Sequence, residues 1–253
     1  MGLPALSRRL AGAALAVAAF SGPLQAADLV VSAASSLTNA FQHVAKAYEA
    51  QHPDTHVVLN FASSDTLLRQ IANGAPADVF ASADQVAMDK AQAQGAIVPA
   101  SRADFAANQL VLIVPTGGAK VATLNDLIGP AFKRIAWGDP ASVPVGRYTK
   151  GVLDRAGLTS RLQDKAVLAA NVRQCLDYVV RGEVDAGFVY ATDAAIARGK
   201  VTVALRIAPT TPITYPIAVV ARSKHADQAR DFIAFVRSVE GQALLADAGF
   251  LAP

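Results

Sequence analysis

Short apolar runs that alternate with amphipathic segments constrain this chain more than any other feature. Leu29-Val30-Val31, Val57–Phe61, Asp78–Ala81, Arg134–Trp137, Ala166–Ala169 and Ala186–Tyr190 are such runs, nearly free of polar residues. Each leads through a turn into a segment with apolar residues at helical spacing. After the first run these are Leu37, Phe41, Val44, Ala45 and Tyr48. Strands that are apolar throughout have both faces covered, as in a parallel sheet between layers of helices. The pattern predicts an α/β fold: two Rossmann-like lobes with mainly parallel sheets. Asn108–Pro115 and Tyr215–Ala221 are further extended runs. The strands at 109–114 and 216–221 are the natural crossovers between lobes. Lobe 1 then comprises residues 27–108 and 217–253, and lobe 2 residues 109–216. Two crossovers imply a cleft between the lobes with a hinge beneath it.

Residues 1–26 stand outside this pattern and read as a secretory signal peptide. Arg8 and Arg9 precede the uncharged apolar stretch Leu10–Phe20, Gly22-Pro23 breaks it, and Leu24-Gln25-Ala26 suits cleavage. That stretch is too short to span a bilayer. Its removal takes two arginines from the 23 basic residues and none of the 20 acidic ones, so the remaining chain is almost neutral. No basic run is interleaved with aromatics, so nucleic acid is not an expected partner. Cys175 is the only cysteine and lies among Val172, Leu176 and Val179 at helical spacing, as a small buried hydrophobe does. His43, His52, His56 and His225 show no metal-ligand spacing, so neither a zinc site nor a metal cofactor is expected.

In open parallel sheets ligands sit beyond the C-terminal ends of the strands. The turns at those ends are Ser35-Ser36, Ser63-Ser64, Pro144-Val145-Gly146 and Asn171-Val172, with Tyr190 ending a strand. Helix N-termini there offer unpaired N–H groups and partial positive charge. Serines in such turns more often cap helices than bind anions, and a strand-end tyrosine more often packs. None of these turns holds His, Lys or Glu for acid–base work; Asp65, Asp139 and Arg147 keep an enzyme only a weak option. Asp78 and Asp185 precede their strands, away from the ligand end, which points to structural roles. Donors without acceptors suit a fully ionised oxyanion.

The segments Ala33–Ala40, Phe61–Ser64, Gly74–Asp84, Gly138–Pro140, Val143–Gly146, Val172-Arg173 and Val189-Tyr190 together resemble periplasmic molybdate-binding proteins, in order and across nearly all of the chain after residue 26. The resemblance implies the type II periplasmic-binding-protein fold, a monomer with no cofactor, and delivery of molybdate or tungstate to the membrane permease of an ABC importer. It also implies a ligand set. Ser36 and Ser64 would donate through hydroxyl and backbone N–H, Val145 and Val172 through backbone N–H, and Tyr190 through its hydroxyl. No side chain would ligate molybdenum directly. Another tetrahedral oxyanion such as sulfate is the competing ligand. Two positions depart from the family pattern: Ser35 replaces a familiar alanine, and Asp65 stands where a small neutral residue is usual. The Asp65 carboxylate is expected to face solvent, because it would repel a dianion in the cleft.

Overall fold

The computed structural model describes residues 1–2 and 27–253. Residues 3–26, which carry the expected signal peptide and its cleavage site, lie outside the described residues.

The first half of the chain runs β1 (Ala27–Ala34), α1 (Thr38–Gln51), β2 (Thr55–Ala62), α2 (Ser64–Ala72), β3 (Val79–Ala81), α3 (Gln85–Ala93) and β4 (Ala103–Asn108). It continues through β5 (Leu110–Pro115), β6 (Ile135–Gly138), α4 (Pro144–Arg155), α5 (Thr159–Leu162), β7 (Ala166–Ala169), α6 (Val172–Val180), β8 (Ala186–Tyr190), α7 (Ala191–Ile196) and β9 (Val201–Ile207). It closes with β10 (Ile213–Val219), α8 (Ala226–Arg237) and α9 (Val239–Asp247). Two five-stranded sheets result, ordered β2-β1-β3-β10-β4 and β7-β6-β8-β5-β9. In the first, β1 pairs parallel with β2 and β3, while β10 pairs antiparallel with β3 and β4. In the second, β6 pairs parallel with β7 and β8, and β5 pairs antiparallel with β8 and β9.

The period of two along each strand divides the first lobe's core. Val79, Ala81, Ile217 and Val219 pack with α1 and α8, where Phe41, Tyr48 and Phe232, with Phe105 of β4, stack at tilted and edge-on angles. Phe80 and Ala218 turn to the other face and meet Leu67, Leu68, Ile71 and Met88 of α2 and α3. Helices therefore cover both faces, as the apolar runs predict. The loops that join strand ends to α2, α4 and α6 all open toward the same cleft.

The apolar run Asn108–Pro115 is not one strand. It is the end of β4 and the whole of β5, divided at Gln109, and the two halves join different sheets. The earlier part of β4, Ala103–Ala107, is short and holds Asp104, so neither periodicity nor a turn residue marks it. Asp78 and Asp185 do hold backbone at strand starts. Asp78 accepts from Val30 N–H at 2.8 Å, and Asp185 from Lys133 and Arg134 N–H at 2.6 and 2.9 Å. Cys175 is fully buried, its thiol donating to the Phe188 carbonyl at 3.2 Å.

Candidate functional site

Ser36, Ser64, Val145, Val172 and Tyr190 all line one small cavity in the cleft. Ser35, Ser63 and Ala83 line it as well. Residues 35–83 come from the side of the first sheet, and residues 143–190 from that of the second. No lining residue carries a formal charge.

Each position follows from local structure. β1 ends at Ala34 and the chain tightens into a 3-10 turn, Ser35–Leu37, before α1 begins. Neither serine of that turn caps α1; the Thr38 hydroxyl donates to the Ser35 carbonyl at 2.7 Å instead. At α2 the cap is Ser63, which accepts from Thr66 N–H at 3.4 Å. Ser64 is thereby left as the first helical residue, its hydroxyl oxygen accepting from Ala83 N–H at 3.0 Å. Capping, the bland role for both marked serines, is taken by neither of them. Val145 lies in the first turn of α4 after Pro144, and Val172 opens α6 behind the cap Asn171. First-turn N–H groups have no acceptor within their own helix, so both point unspent backbone donors toward the cleft. Gly146 permits the seating of α4: a Cβ there would stand 2.0 Å from the Gly138 carbonyl oxygen.

Tyr190 ends β8 with 1% of its surface exposed, and its hydroxyl has no hydrogen-bond partner. A buried polar group normally has one, because leaving it unpaired costs about 1–3 kcal/mol. Burial, helped by Tyr215 and Tyr148 nearby, pushes its pKa well above the usual phenol value, so it remains a donor. The hydroxyls of Ser36, Ser64 and Tyr190 and several helix-start N–H groups thus converge, and no carboxylate lines the cavity. The arrangement can hold an acceptor-only ligand.

Asp65 contradicts the expectation that it faces solvent. It is 6% exposed, and its carboxylate meets Lys90 Nζ and Arg147 Nη2, each at 2.7 Å. Arg147 Nε also donates to Asp84 at 2.7 Å, so α4 is clamped across the cleft to α2 and to the start of α3. Repulsion with a bound anion is offset because the two carboxylates face two cations. Burial alone would raise the Asp65 pKa, but Lys90 and Arg147 outweigh it and hold it below the usual range. A second link uses Arg173 of α6, which donates to Asn39 Oδ1 at 2.6 Å and to the Ser36 carbonyl at 3.1 Å. Its Nε stands 2.7 Å from Asp193 without hydrogen-bonding alignment. Burial pushes the Asp193 carboxyl up to about 6 against the pull of Arg173 and the Tyr190 N–H.

No local pattern marks the residues behind Ser36. The Tyr215 hydroxyl lies 3.1 Å from Ser36 Oγ, and Asn108 Nδ2 donates to Tyr215 at 3.3 Å and to Thr192 Oγ1 at 2.9 Å. These residues are far apart in sequence, and only the crossovers bring them together.

The sequence profile of the bacterial extracellular solute-binding protein family matches residues 29–251. This chain belongs to that family. The solute-binding protein is 39% identical over 225 residues to the molybdate-binding protein ModA of Escherichia coli K12, covering 83% of this chain and 84% of the relative. It is 36% identical over 231 residues to ModA of Haemophilus influenzae, covering 89% and 91%. Among solved structures, the periplasmic molybdate-binding protein of Azotobacter vinelandii superposes with a TM-score of 0.78 at 26% identity, covering 89% of this chain and 99% of that one. The two-lobed type II binding-protein fold is common to them.

Proposed function

We propose that this solute-binding protein captures molybdate, with tungstate as an equivalent ligand, in the periplasm and delivers it to the permease of an ABC importer. Ser36, Ser64, Val145, Val172 and Tyr190 form the ligand shell, and the metal is reached only through its oxo groups. The observation that carries this reading is a cavity lined from both sheets by donors without a counter-acceptor. The relatives named as molybdate-binding proteins support the choice of anion. Helix-start N–H groups and hydroxyls neutralise the dianion without a lysine or arginine in the shell. The protein acts by binding, not by catalysis, and needs no cofactor.

The lobes are taken as residues 27–108 with 217–253, and 109–216, with β10 returning the chain across the hinge. Ser36 and Ser64 then belong to one lobe, and Val145, Val172 and Tyr190 to the other. Only the closed state completes the shell, so ligand favours closure through that difference in affinity.

Calorimetric titration of residues 27–253 with molybdate, tungstate, sulfate and phosphate tests the reading. One site with micromolar or tighter affinity for molybdate and tungstate is the expected result. Tight sulfate binding with no heat from molybdate would reassign the ligand.

A further inference from the structure

The Ser36 hydroxyl can serve an anion only if its proton points into the cavity, and the side chains behind it determine whether it does. The Gln109 N–H donates to Asn108 Oδ1 at 2.8 Å. A backbone N–H can only donate, so that contact fixes which side of the Asn108 amide is oxygen. The Nδ2 hydrogens are then directed at Thr192 Oγ1 (2.9 Å) and the Tyr215 hydroxyl (3.3 Å). Tyr215, fully buried, must accept from Asn108, which leaves its one proton for its other neighbour, Ser36 Oγ at 3.1 Å. Ser36 therefore accepts from behind and has its own proton free for the cavity.

We propose that Asn108 and Tyr215 are positioning residues that keep the Ser36 hydroxyl proton free for the ligand, and so favour tetrahedral oxyanions that carry no proton at that position. The inference rests on the oxyanion reading above, including its preference for a fully ionised ligand, and adds the residues that enforce that preference at Ser36. Ser64 receives the same polarity from the Ala83 backbone N–H, at 3.0 Å, which no side-chain change can reverse. The Tyr190 hydroxyl has no partner and is free to donate as well. A hydrogen phosphate or hydrogen arsenate ion brings an O–H that gains nothing where Ser36, Ser64 and Tyr190 turn their protons toward it. Sites whose polar groups are left unpaired reject a ligand far more strongly than sites that differ in size alone.

The test compares Kd for molybdate with Kd for hydrogen phosphate at one pH, in the wild type, Asn108→Asp and Tyr215→Phe. In Asn108→Asp the carboxylate still accepts from Gln109 but now also accepts the Tyr215 proton. Ser36 must then donate to Tyr215 and presents a lone pair to the cavity. The expected result is a phosphate-to-molybdate Kd ratio that falls at least tenfold in Asn108→Asp and by less in Tyr215→Phe. The added charge repels both dianions alike, so electrostatics alone would leave the ratio unchanged. A ratio constant within twofold in folded variants would overturn the proposal. So would a wild type that binds hydrogen phosphate as tightly as molybdate, a comparison that needs no variant. If the wild type binds sulfate and ignores molybdate, the function assigned above fails. The polarity argument is then judged with sulfate as the unprotonated ion.

Discussion

A serine hydroxyl carries one proton and two lone pairs, so its role in this cleft depends on which neighbours occupy the lone pairs. Ser36 and Ser64 are held from behind by Tyr215 and by Ala83 N–H, and neither caps a helix. Ser36→Ala and Ser64→Ala are therefore each expected to weaken molybdate binding by about 1–3 kcal/mol, the usual value for a hydrogen bond to a charged partner. Ser35→Ala should leave binding nearly unchanged, and calorimetry on the three variants reads the register of the first turn directly. A damaging Ser35→Ala beside a silent Ser36→Ala would mean the register is off by one. Tyr190→Phe should weaken binding similarly while leaving the ligand-free melting temperature unchanged or higher, because the hydroxyl it removes has no partner within the protein. The five proposed shell positions, which line one cavity, could be picked out in the sequence because turn chemistry and family pattern both mark strand ends. Tyr215 and Asn108 could not, since their hydrogen bonds span 179 and 107 positions and leave no local spacing to detect.

Helix α4 does two things at once: its first turn offers Val145 N–H to the cavity, and its next residue but one clamps the cleft. Arg147 reaches Asp65 and Asp84 from across that cleft, with 18% of its side chain exposed. Arg147→Gln should raise the Kd for molybdate several-fold without touching ligand, because it removes a contact that only the closed arrangement makes. A binding isotherm identical to wild type would show that the clamp contributes nothing to closure. Sequence alone turns Asp65 outward, because the repulsion argument considers the anion and not a cation arriving from α4 across the cleft. Helix α7 carries a different dependence. Its Asp193 is fully buried with a pKa raised to about 6, above the value of about 3.9 for an unfolded chain. A raised carboxyl pKa means the folded state binds the proton more tightly, so this group adds stability as pH falls from above 6 toward 4. Asp193→Asn should flatten that part of the curve of melting temperature against pH. An unaltered curve would show that Asp193 stays ionised beside Arg173.

At the scale of the whole molecule, the alternation of apolar runs and helices was enough to specify two α/β lobes, and the short strands after each turn fell where expected. The crossover was harder to read. Asn108–Pro115 looks like one strand because nothing between β4 and β5 interrupts its apolar character except Gln109, and only sheet pairing separates the halves. That short crossover at Gln109, together with the return through β10, places Asn108 and Tyr215 behind Ser36. The central claim is that one oxyanion is held by donors from both sheets. Tungstate tests it most directly, because its heavy atom can be located by anomalous diffraction from crystals grown with the ion. The account predicts a single strong peak in the cavity. Its four oxygens should lie within hydrogen-bond reach of the Ser36, Ser64 and Tyr190 hydroxyls and the Val145 and Val172 N–H groups. A peak elsewhere on the molecule, or one contacting residues of a single sheet only, would contradict it.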